Sequence, residues 1–520
     1  MIINYIFLVI LISSKNVVAI DLDISVVLEF TGNTDLRCQA EINGTKIIGI
    51  SRNFLHDWKK QYCAFLGIPY AKPPIGDLRF EPPVRNIIDS TYNETIEANG
   101  LKDMCVQKGR LGKEDCLYLN IYTPMLNSSL NNNNKTYPVM FWIHGGSFHS
   151  GSGTYNLYGP DYLVHEDVIL VTFNYRLGVF GFLSAPEWKI YGNMGLKDQL
   201  LALQWVNENI EYFKGNKSSI TLIGESAGAA SVHYLMMSNL TKGLYHRAIL
   251  QSGSALSPWA IQFVPEQVPT PEDLKSDNNL VFNPVVEHEN STNPIVRKNL
   301  VKRMYEGEFP DVNIIYGFND AEGLLGMLMV NETNDRVIYK MREVLVNKYK
   351  KELPGVCHTD DLGYLFSMSK EWSNLYFTVR GYATIPEKAV ETHKKMVTLW
   401  TNFAKTGNPL NTTTPDHPTY GSVSTINWEP YNNITKKYLN MNDTFEMLAY
   451  QEMDLEGLMG LEYKGQGWND YKCNVAVRHR VIEGKYRTYV HDHGHHYCAY
   501  MGIPYAKPPT GHRRFLAPQE

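Results

Sequence analysis

An α/β fold with a central, mostly parallel sheet is predicted from two kinds of segment in the sequence. Residues 139–143 and 219–223 are apolar runs rich in β-branched and aromatic side chains, as expected of buried strands. Residues 196–210 and 397–404 carry apolar side chains at helical spacing. We therefore expect helices on both faces of the sheet, with a short β-hairpin region near the N-terminus.

The 520-residue chain has the composition of a globular protein, with 43% apolar and 20% charged residues. A chain of this length can bury a large core without metals or dense disulfides. Its formal net charge of −5 argues against a nucleic-acid-binding protein, which usually has a basic excess. We predict neither a cofactor nor a nucleic-acid partner.

The N-terminus has the features of a secretory signal peptide. Residues 5–12 (YIFLVILI) are a short apolar run, and small residues at 17–19 permit cleavage after Ala19. We predict a signal peptide at residues 1–19 and a leader at 20–34, with a buried first strand as the alternative. No other apolar run reaches membrane length, so no membrane span is predicted.

Eleven Asn-x-Ser/Thr sequons favour a secreted, extracellular glycoprotein. Their asparagines are Asn43, Asn93, Asn127, Asn134, Asn216, Asn239, Asn290, Asn331, Asn411, Asn433 and Asn442. The chain also has seven cysteines, an odd number that excludes complete pairing within the chain. Cys105 and Cys116 close a small loop rich in glycine and charge, and we interpret them as a disulfide.

The chain contains an internal repeat. Residues 62–74 (YCAFLGIPYAKPP) recur at 497–509 (YCAYMGIPYAKPP), and the same offset of 435 residues maps Cys38 onto Cys473. We predict one large domain at residues 35–469, followed at 470–520 by the truncated start of a second tandem copy. A transcript of tandem genes or an incomplete gene model would explain the repeat.

A histidine-rich run at residues 491–496 (HDHGHH) suggests a metal site at first sight. The equivalent stretch of the first copy, residues 56–61, lies between two strand-like runs and shares only the leading His-Asp pair. We therefore interpret both stretches as hairpin tips and predict no metal site.

Gly224-Glu225-Ser226-Ala227-Gly228 is the central chemical motif. It follows the predicted strand at 219–223 and precedes a helix-like run, which is the context of a nucleophile elbow. Glycines flank the serine because the turn is too tight for side chains. Ser226 is therefore the predicted nucleophile.

A second glycine-rich motif, His144-Gly145-Gly146, follows the predicted strand at 139–143. Backbone N–H groups of such a loop can converge on a developing oxyanion without obstruction by side chains. In hydrolases with a nucleophile elbow, these groups and the N–H of the residue after the nucleophile form the oxyanion hole. The predicted hole is formed by Gly145, Gly146 and Ala227.

An elbow serine needs an acid and then a histidine later in the chain. Glu322 follows the strand-like run at 312–317 and is the preferred acid, with Asp320 as its rival. His358 lies in a loop of small residues and is the candidate base. The alternative for His358 is an ordinary surface histidine.

These motifs resemble the type-B carboxylesterase and cholinesterase family, particularly secreted insect carboxylesterases. The resemblance covers roughly residues 35–455 with gaps. The matching stretches are GIPYAKPP (67–74), EDCLYLN (114–120), HGGSF (144–148), NYRLGVF (174–180), NMGLKDQL (193–200), GESAG (224–228), QSGS (251–254), AEG (321–323) and GVCHTDDL (355–362). The resemblance implies an α/β-hydrolase fold and an esterase that acts on small-molecule esters.

The resemblance also implies a role for each candidate residue. Ser226 is the nucleophile, His358 the base and Glu322 the acid. It further implies the oxyanion hole at Gly145, Gly146 and Ala227, the Cys105–Cys116 disulfide, and structural ion pairs between Arg79 and Glu114 and between Arg176 and Asp198.

Two features narrow the expected substrate. Cholinesterases carry a choline-binding tryptophan on the loop before EDCLYLN, and residues 106–115 contain none. Juvenile hormone esterases usually carry Gln before the serine, where this chain has Glu225. A general carboxylesterase is therefore expected.

Two stretches are short for this family, at about residues 261–281 and 328–354. The strand expected before His358 is missing, and residues 337–349 instead have helical spacing. Because a displacement of about 1 Å can cost 10²-fold in rate, the motifs do not guarantee activity. A catalytically impaired binding or adhesion protein and an incomplete gene model are the alternatives.

Overall fold

The computed structural model describes the greater part of the predicted main domain. The described residues are 34–88, 95–107, 111–125, 135–257, 259–262, 282–297, 302–303, 306, 310–319, 322, 358–368, 385, 389–410, 422–431, 434–435, 437–441, 445–449, 473–477, 480–488 and 496–499. The predicted signal peptide, nearly all of the leader, Asp320 and the shortened stretch at 328–354 lie outside them.

Ten described strands form the central sheet, in the order β1-β2-β3-β5-β7-β6-β10-β11-β12, with β4 paired to β2. These strands are β1 (Thr34–Ile42), β2 (Thr45–Phe54), β3 (Asp57–Pro69), β4 (Ile96–Glu97), β5 (Tyr118–Pro124), β6 (Tyr137–Ile143), β7 (Ile169–Phe173), β10 (Gly215–Glu225), β11 (Arg247–Gln251) and β12 (Asn313–Gly317). Two smaller two-stranded sheets pair β8 (Ser184–Ala185) with β9 (Ile190–Tyr191) and β13 (Lys437–Asn440) with β14 (Glu446–Ala449).

The half of the sheet from β7 to β12 is parallel throughout, whereas β1, β2, β3, β5 and β7 pair antiparallel. Because parallel strands end at the same edge, the segments that follow β6, β10 and β12 meet there. The predicted strands at 139–143 and 219–223 are confirmed as β6 and β10.

Six described α-helices accompany the sheet. They are α1 (Asp161–His165), α2 (Gly178–Phe182), α3 (Met194–Asn209), α4 (Ala227–Met236), α5 (Leu362–Leu365) and α6 (Val390–Thr406). The predicted helices at 196–210 and 397–404 correspond to α3 and α6, and α6 ends at Gly407, whose φ of 80° suits a glycine C-cap.

Alternate residues of β6 belong to two separate apolar clusters, one on each face of the sheet. Phe141 packs in the cluster that includes α3 and α4, whereas Trp142 packs in the cluster that includes α1, α5 and α6. Helices therefore cover both faces, which confirms the predicted α/β-hydrolase architecture.

The first three strands form an antiparallel meander closed by a disulfide. Cys38 of β1 is bonded to Cys63 of β3, a pair that the sequence analysis did not identify. The expected hairpin between β2 and β3 is present, but its turn is tighter than predicted. Since Phe54 pairs with Asp57, only residues 55 and 56 lie in the turn.

The repeated segment has the same backbone pairing as the first copy. Its strands are β15 (Cys473–Val477), β16 (Arg480–Thr488) and β17 (His496–Ala499), and they form an antiparallel sheet of their own. Asn474 pairs with Glu483, as Gln39 pairs with Ile48 at the offset of 435. Tyr486 likewise pairs with Cys498, as Ser51 pairs with Cys63.

Among the described residues, no helix is both long and apolar enough to cross a membrane.

Candidate active site

Ser226 lies at the sharp turn between β10 and α4. Its backbone has φ 56° and ψ −122°, which is unusual for a residue with a side chain. Its N–H donates to the carbonyl of Gln251 over 2.9 Å, and this bond ties the turn to β11.

Both glycines of the turn are required by close backbone contacts. A Cβ atom at Gly224 would lie 2.4 Å from the carbonyl carbon of Gly228, and one at Gly228 would lie 2.0 Å from the carbonyl oxygen of Ile143. The turn therefore packs directly on the end of β6, as expected for a nucleophile elbow.

The glycine loop after β6 packs against this turn. A Cβ atom at Gly145 would lie 2.8 Å from the carbonyl oxygen of Glu225, and Gly146 has a φ of 101°. Among the described residues, no protein acceptor binds the backbone N–H of Gly145, Gly146 or Ala227. Three N–H donors are thus available next to Ser226.

His144 precedes this loop but is unsuited to act as a base. It is buried, its Nδ1 lies 2.8 Å from the carbonyl oxygen of Gly145, and its ring stacks on Tyr175. Burial lowers the pKa of His144 to about 4. It therefore stays neutral at physiological pH and supports the loop.

Glu322 and His358 are in direct contact. Glu322 Oε2 lies 2.5 Å from His358 Nδ1, and Glu322 Oε1 accepts the backbone N–H of Asn319 over 2.7 Å. Burial raises the pKa of Glu322, but the hydrogen bonds that it accepts, chiefly the one from His358, outweigh burial and hold the pKa below its ordinary value. Glu322 is thus an ionised partner that fixes one nitrogen of the imidazole.

The other nitrogen of His358 faces Glu225. Glu225 Oε1 lies 3.2 Å from His358 Nε2, and the Glu225 side chain is only 2% exposed. Burial, reinforced by Asp361 and Glu322, raises the pKa of Glu225 well above its ordinary value. The hydrogen bonds of the described residues include none between His358 and the Ser226 hydroxyl.

The two structural ion pairs implied by the family resemblance are present. Arg176 forms a two-pronged contact with Asp198 (2.7 and 2.8 Å), and both side chains are buried. Arg79 binds Glu114 in the same way (2.6 and 3.0 Å). Glu114 of the second pair lies within the loop closed by the Cys105–Cys116 disulfide, which is also present.

Sequence comparison assigns most of the chain to one family. The sequence model described as the carboxylesterase family matches residues 38–271 and 338–456. Glu322 lies between the two matched stretches, whereas Ser226 and His358 lie within them.

Individual relatives match a shorter part of the chain. A juvenile hormone esterase of Tribolium castaneum is 48% identical over 213 residues, 39% of this chain and 34% of that protein. A carboxylic ester hydrolase of Bombus ignitus is 47% identical over 219 residues, 40% of this chain and 38% of that protein. An acetylcholinesterase 1 of Caenorhabditis briggsae is 45% identical over 221 residues, 39% of this chain and 34% of that protein. The chain thus spans between a third and two fifths of the length of the relatives that it matches.

Proposed function

The chain belongs to the carboxylesterase family, and we propose that it is a secreted serine hydrolase that cleaves carboxylic esters of small molecules. The observation that carries this proposal is the hydrogen bond between Glu322 and His358, whose loops are 36 residues apart in sequence. The same imidazole contacts Glu225, the neighbour of a serine in elbow geometry. A carboxylate-oriented histidine beside such a serine is what acyl transfer requires.

In the proposed reaction, the Ser226 oxygen attacks the ester carbonyl carbon while His358 Nε2 accepts the hydroxyl proton. Glu322 holds the Nδ1–H and stabilises the imidazolium that forms. The carbonyl oxygen becomes an oxyanion that accepts hydrogen bonds from the N–H groups of Gly145, Gly146 and Ala227. Loss of one such donor would cost about 10²–10³ in rate.

The second half of the cycle releases the acid. The imidazolium protonates the leaving alcohol, and the C–O bond to that alcohol breaks, which leaves an acyl group on Ser226. Water then attacks the acyl carbon and gives its proton to His358. Collapse of the second intermediate frees the carboxylic acid and returns the proton to Ser226.

The first proton transfer requires His358 Nε2 to turn from Glu225 toward Ser226. Glu322 can keep its hydrogen bond to Nδ1 during this turn, because a small rotation of the ring about Nδ1 moves Nε2 and leaves Nδ1 in place. Catalytic hydrogen bonds often tighten only once substrate is bound. We therefore propose that the contact with Glu225 belongs to the substrate-free enzyme.

We propose that the enzyme is a general carboxylesterase rather than a cholinesterase or a juvenile hormone esterase. Residues 106–115 lack the tryptophan that cholinesterases use for choline, and Glu225 stands where juvenile hormone esterases usually carry Gln. The relatives named after those two activities therefore support ester hydrolysis by this chain. They do not indicate that it acts on choline esters or on juvenile hormone.

The alternative is a catalytically impaired binding protein or the product of an incomplete gene model. The gap in the family match at residues 272–337 favours it, because the predicted acid lies in that gap.

A covalent label separates these proposals. The full chain, expressed through a eukaryotic secretory pathway, is treated with a fluorophosphonate probe and assayed with short-chain naphthyl esters. We expect labelling and hydrolysis by the wild type and neither by Ser226→Ala. Ser254→Ala is the matched control, because Ser254 Oγ also lies near a histidine, 3.2 Å from His233 Nδ1. A folded, secreted wild type that neither labels nor hydrolyses would favour the impaired protein, and absence of secreted protein would favour the incomplete gene model.

We also propose the domain organisation expected from the sequence: residues 1–19 as signal peptide, 20–34 as leader, 35–469 as the esterase domain and 470–520 as a truncated second copy. The shared strand register of the two copies supports it. Because Cys473 and Cys498 correspond to Cys38 and Cys63, peptide mapping without reduction should find them paired. Free thiols at both positions would contradict the assignment.

A further inference from the structure

Asp361 is a buried carboxylate three residues after His358. It is 8% exposed, and two side-chain amides contact it. Gln251 Nε2 donates to Asp361 Oδ2 over 2.5 Å, and Asn319 Nδ2 donates to Asp361 Oδ1 over 3.1 Å. Asp361 thus joins three separate segments: the end of β11, the loop after β12 and the loop that carries His358.

Trp400 determines the direction of the hydrogen bond between Gln251 and Asp361. The indole N–H of Trp400 lies 3.2 Å from Gln251 Oε1, and an indole can only donate. The oxygen of the Gln251 amide must therefore face Trp400, and its NH₂ group must face Asp361. Residue 361 consequently has to accept the hydrogen bond from Gln251 rather than donate one to it.

The two residues whose amides bind Asp361 also form a backbone hydrogen bond to a member of the predicted triad. The Gln251 carbonyl accepts the N–H of Ser226 over 2.9 Å. The Asn319 N–H donates to Glu322 Oε1 over 2.7 Å. Asp361 therefore links the histidine loop to the nucleophile through one amide and to the acid through the other.

We propose that Asp361 is a positioning residue that fixes the His358 loop relative to Ser226 and Glu322. It acts through Gln251 and Asn319 and touches none of the reacting atoms. This inference rests on the proposed hydrolase function.

The test is the variant Asp361→Asn. Its kcat is calculated from the concentration of active sites, which is measured as the amount of protein that reacts with a fluorophosphonate probe. A side-chain amide can accept with its oxygen only, so its NH₂ group would oppose the NH₂ of Gln251 or Asn319. We expect kcat to fall about 10- to 100-fold, because a small displacement of a catalytic group has that effect. Since Asp361 does not touch substrate, KM should stay within about twofold.

A donor–acceptor exchange distinguishes positioning from a general loss of structure. In the double variant Asn319→Asp/Asp361→Asn, the amide introduced at 361 can donate to the carboxylate introduced at 319 and still accept from Gln251. We expect it to recover about tenfold of the lost kcat. Asn319→Ala removes a single donor from the pair and serves as a milder variant if Asp361→Asn is not secreted.

The matched control is Asp161→Asn. Asp161 of α1 is also a buried carboxylate with two donors, the Leu55 N–H at 3.0 Å and the Ser367 hydroxyl at 2.6 Å. Substitution there should lower the melting temperature and leave kcat per reactive site unchanged. Wild-type kcat in Asp361→Asn, an equal loss in Asp161→Asn, or no recovery in the exchange variant would overturn the proposal.

A readout without turnover separates this inference from the proposed function. The downfield proton resonance of His358 Nδ1–H reports its hydrogen bond to Glu322 directly. It should weaken or shift in Asp361→Asn and not in Asp161→Asn, and an unchanged resonance would overturn the proposal. An inactive wild type would refute the hydrolase alone, because the resonance would still test the positioning role.

Discussion

The two halves of the candidate site are built from different kinds of contact. The nucleophile half consists of the Ser226 turn and the Gly145–Gly146 loop, which follow adjacent parallel strands and touch through backbone atoms. The acid–histidine half consists of two separate loops joined by side chains. Glu322 and His358 are 29% and 12% exposed, and the link between their loops is a network of carboxylates and amides.

This difference indicates where a substitution should act. In the nucleophile half, an added side-chain atom would clash with the main chain, which cannot move without disturbing β6 and β10. Such a substitution should therefore lower the stability of the fold before it affects catalysis. In the acid–histidine half, an altered side chain breaks one hydrogen bond of a loop, so catalysis should suffer before folding does.

The largest expected effect is that of Gly228→Ala. The new Cβ would lie 2.0 Å from the carbonyl oxygen of Ile143, a contact that only a backbone shift can relieve. We expect destabilisation at or beyond the upper end of the ordinary range of about 0.5–3 kcal/mol, with little secreted protein. Secreted yield and thermal melting measure it.

Gly363→Ala is the control for that substitution. Gly363 lies in α5 on the acid–histidine side, and a Cβ there would have no atom within 4 Å. It should fold like the wild type or be slightly more stable, by up to about 1 kcal/mol. If Gly228→Ala melted at the same temperature as Gly363→Ala, the contrast between the two halves would be wrong.

The next largest effect is expected for Glu322→Gln. The amide would keep the size of the side chain but could not stabilise an imidazolium at His358. We expect kcat to fall about 10³- to 10⁴-fold, as when a triad carboxylate is replaced by an amide, with little change in melting temperature.

Glu114→Gln is the matched control, because Glu114 is similarly exposed and binds Arg79 rather than a histidine. It should leave kcat unchanged. Since Glu322 lies between the stretches matched by the family, an active Glu322→Gln variant would mean that another group supplies the acid.

A smaller effect is expected for Glu225→Gln, at the point where the two halves meet. Burial raises the pKa of Glu225 in the folded protein, so the folded state binds its proton more tightly than the unfolded state does. The wild type therefore loses stability as the pH rises above the ordinary glutamate value of 4.5, because ionisation then favours the unfolded state.

The neutral amide removes this loss. The melting temperature of Glu225→Gln should therefore rise relative to that of the wild type between pH 4.5 and pH 8. Glu208→Gln, at an exposed glutamate paired with Arg85, should show no such trend. If the difference in melting temperature between Glu225→Gln and the wild type were constant across this range, ionisation of Glu225 would not destabilise the folded protein.

Local features of the sequence were sufficient to predict the nucleophile half. The turn around Ser226 follows from a strand, a tight glycine-flanked turn and a helix, all within about twenty consecutive residues. Backbone sterics act over such short distances, so the residue types report the geometry directly. The same holds for the glycine loop after β6.

The acid–histidine half depended on contacts between residues far apart in the chain. Motif order favoured Glu322 and His358, but no local pattern indicated the contact of His358 with Glu225 or the role of Asp361. Gln251 and Asp361 are 110 residues apart, and Asn319 and Asp361 are 42 apart. The Cys38–Cys63 disulfide, between β1 and β3, was missed for the same reason.

The sequence by itself determined the fold class, the nucleophile turn and the internal repeat, because each is written in short-range spacing or in direct identity between two segments. Only the tertiary structure decided which carboxylates surround His358, which direction each amide of Gln251 and Asn319 faces, and which cysteine pairs with Cys38. Those outcomes depend on how the loops after β10, β11 and β12 come together at one edge of the sheet, where a difference of one hydrogen-bond length decides whether two side chains interact.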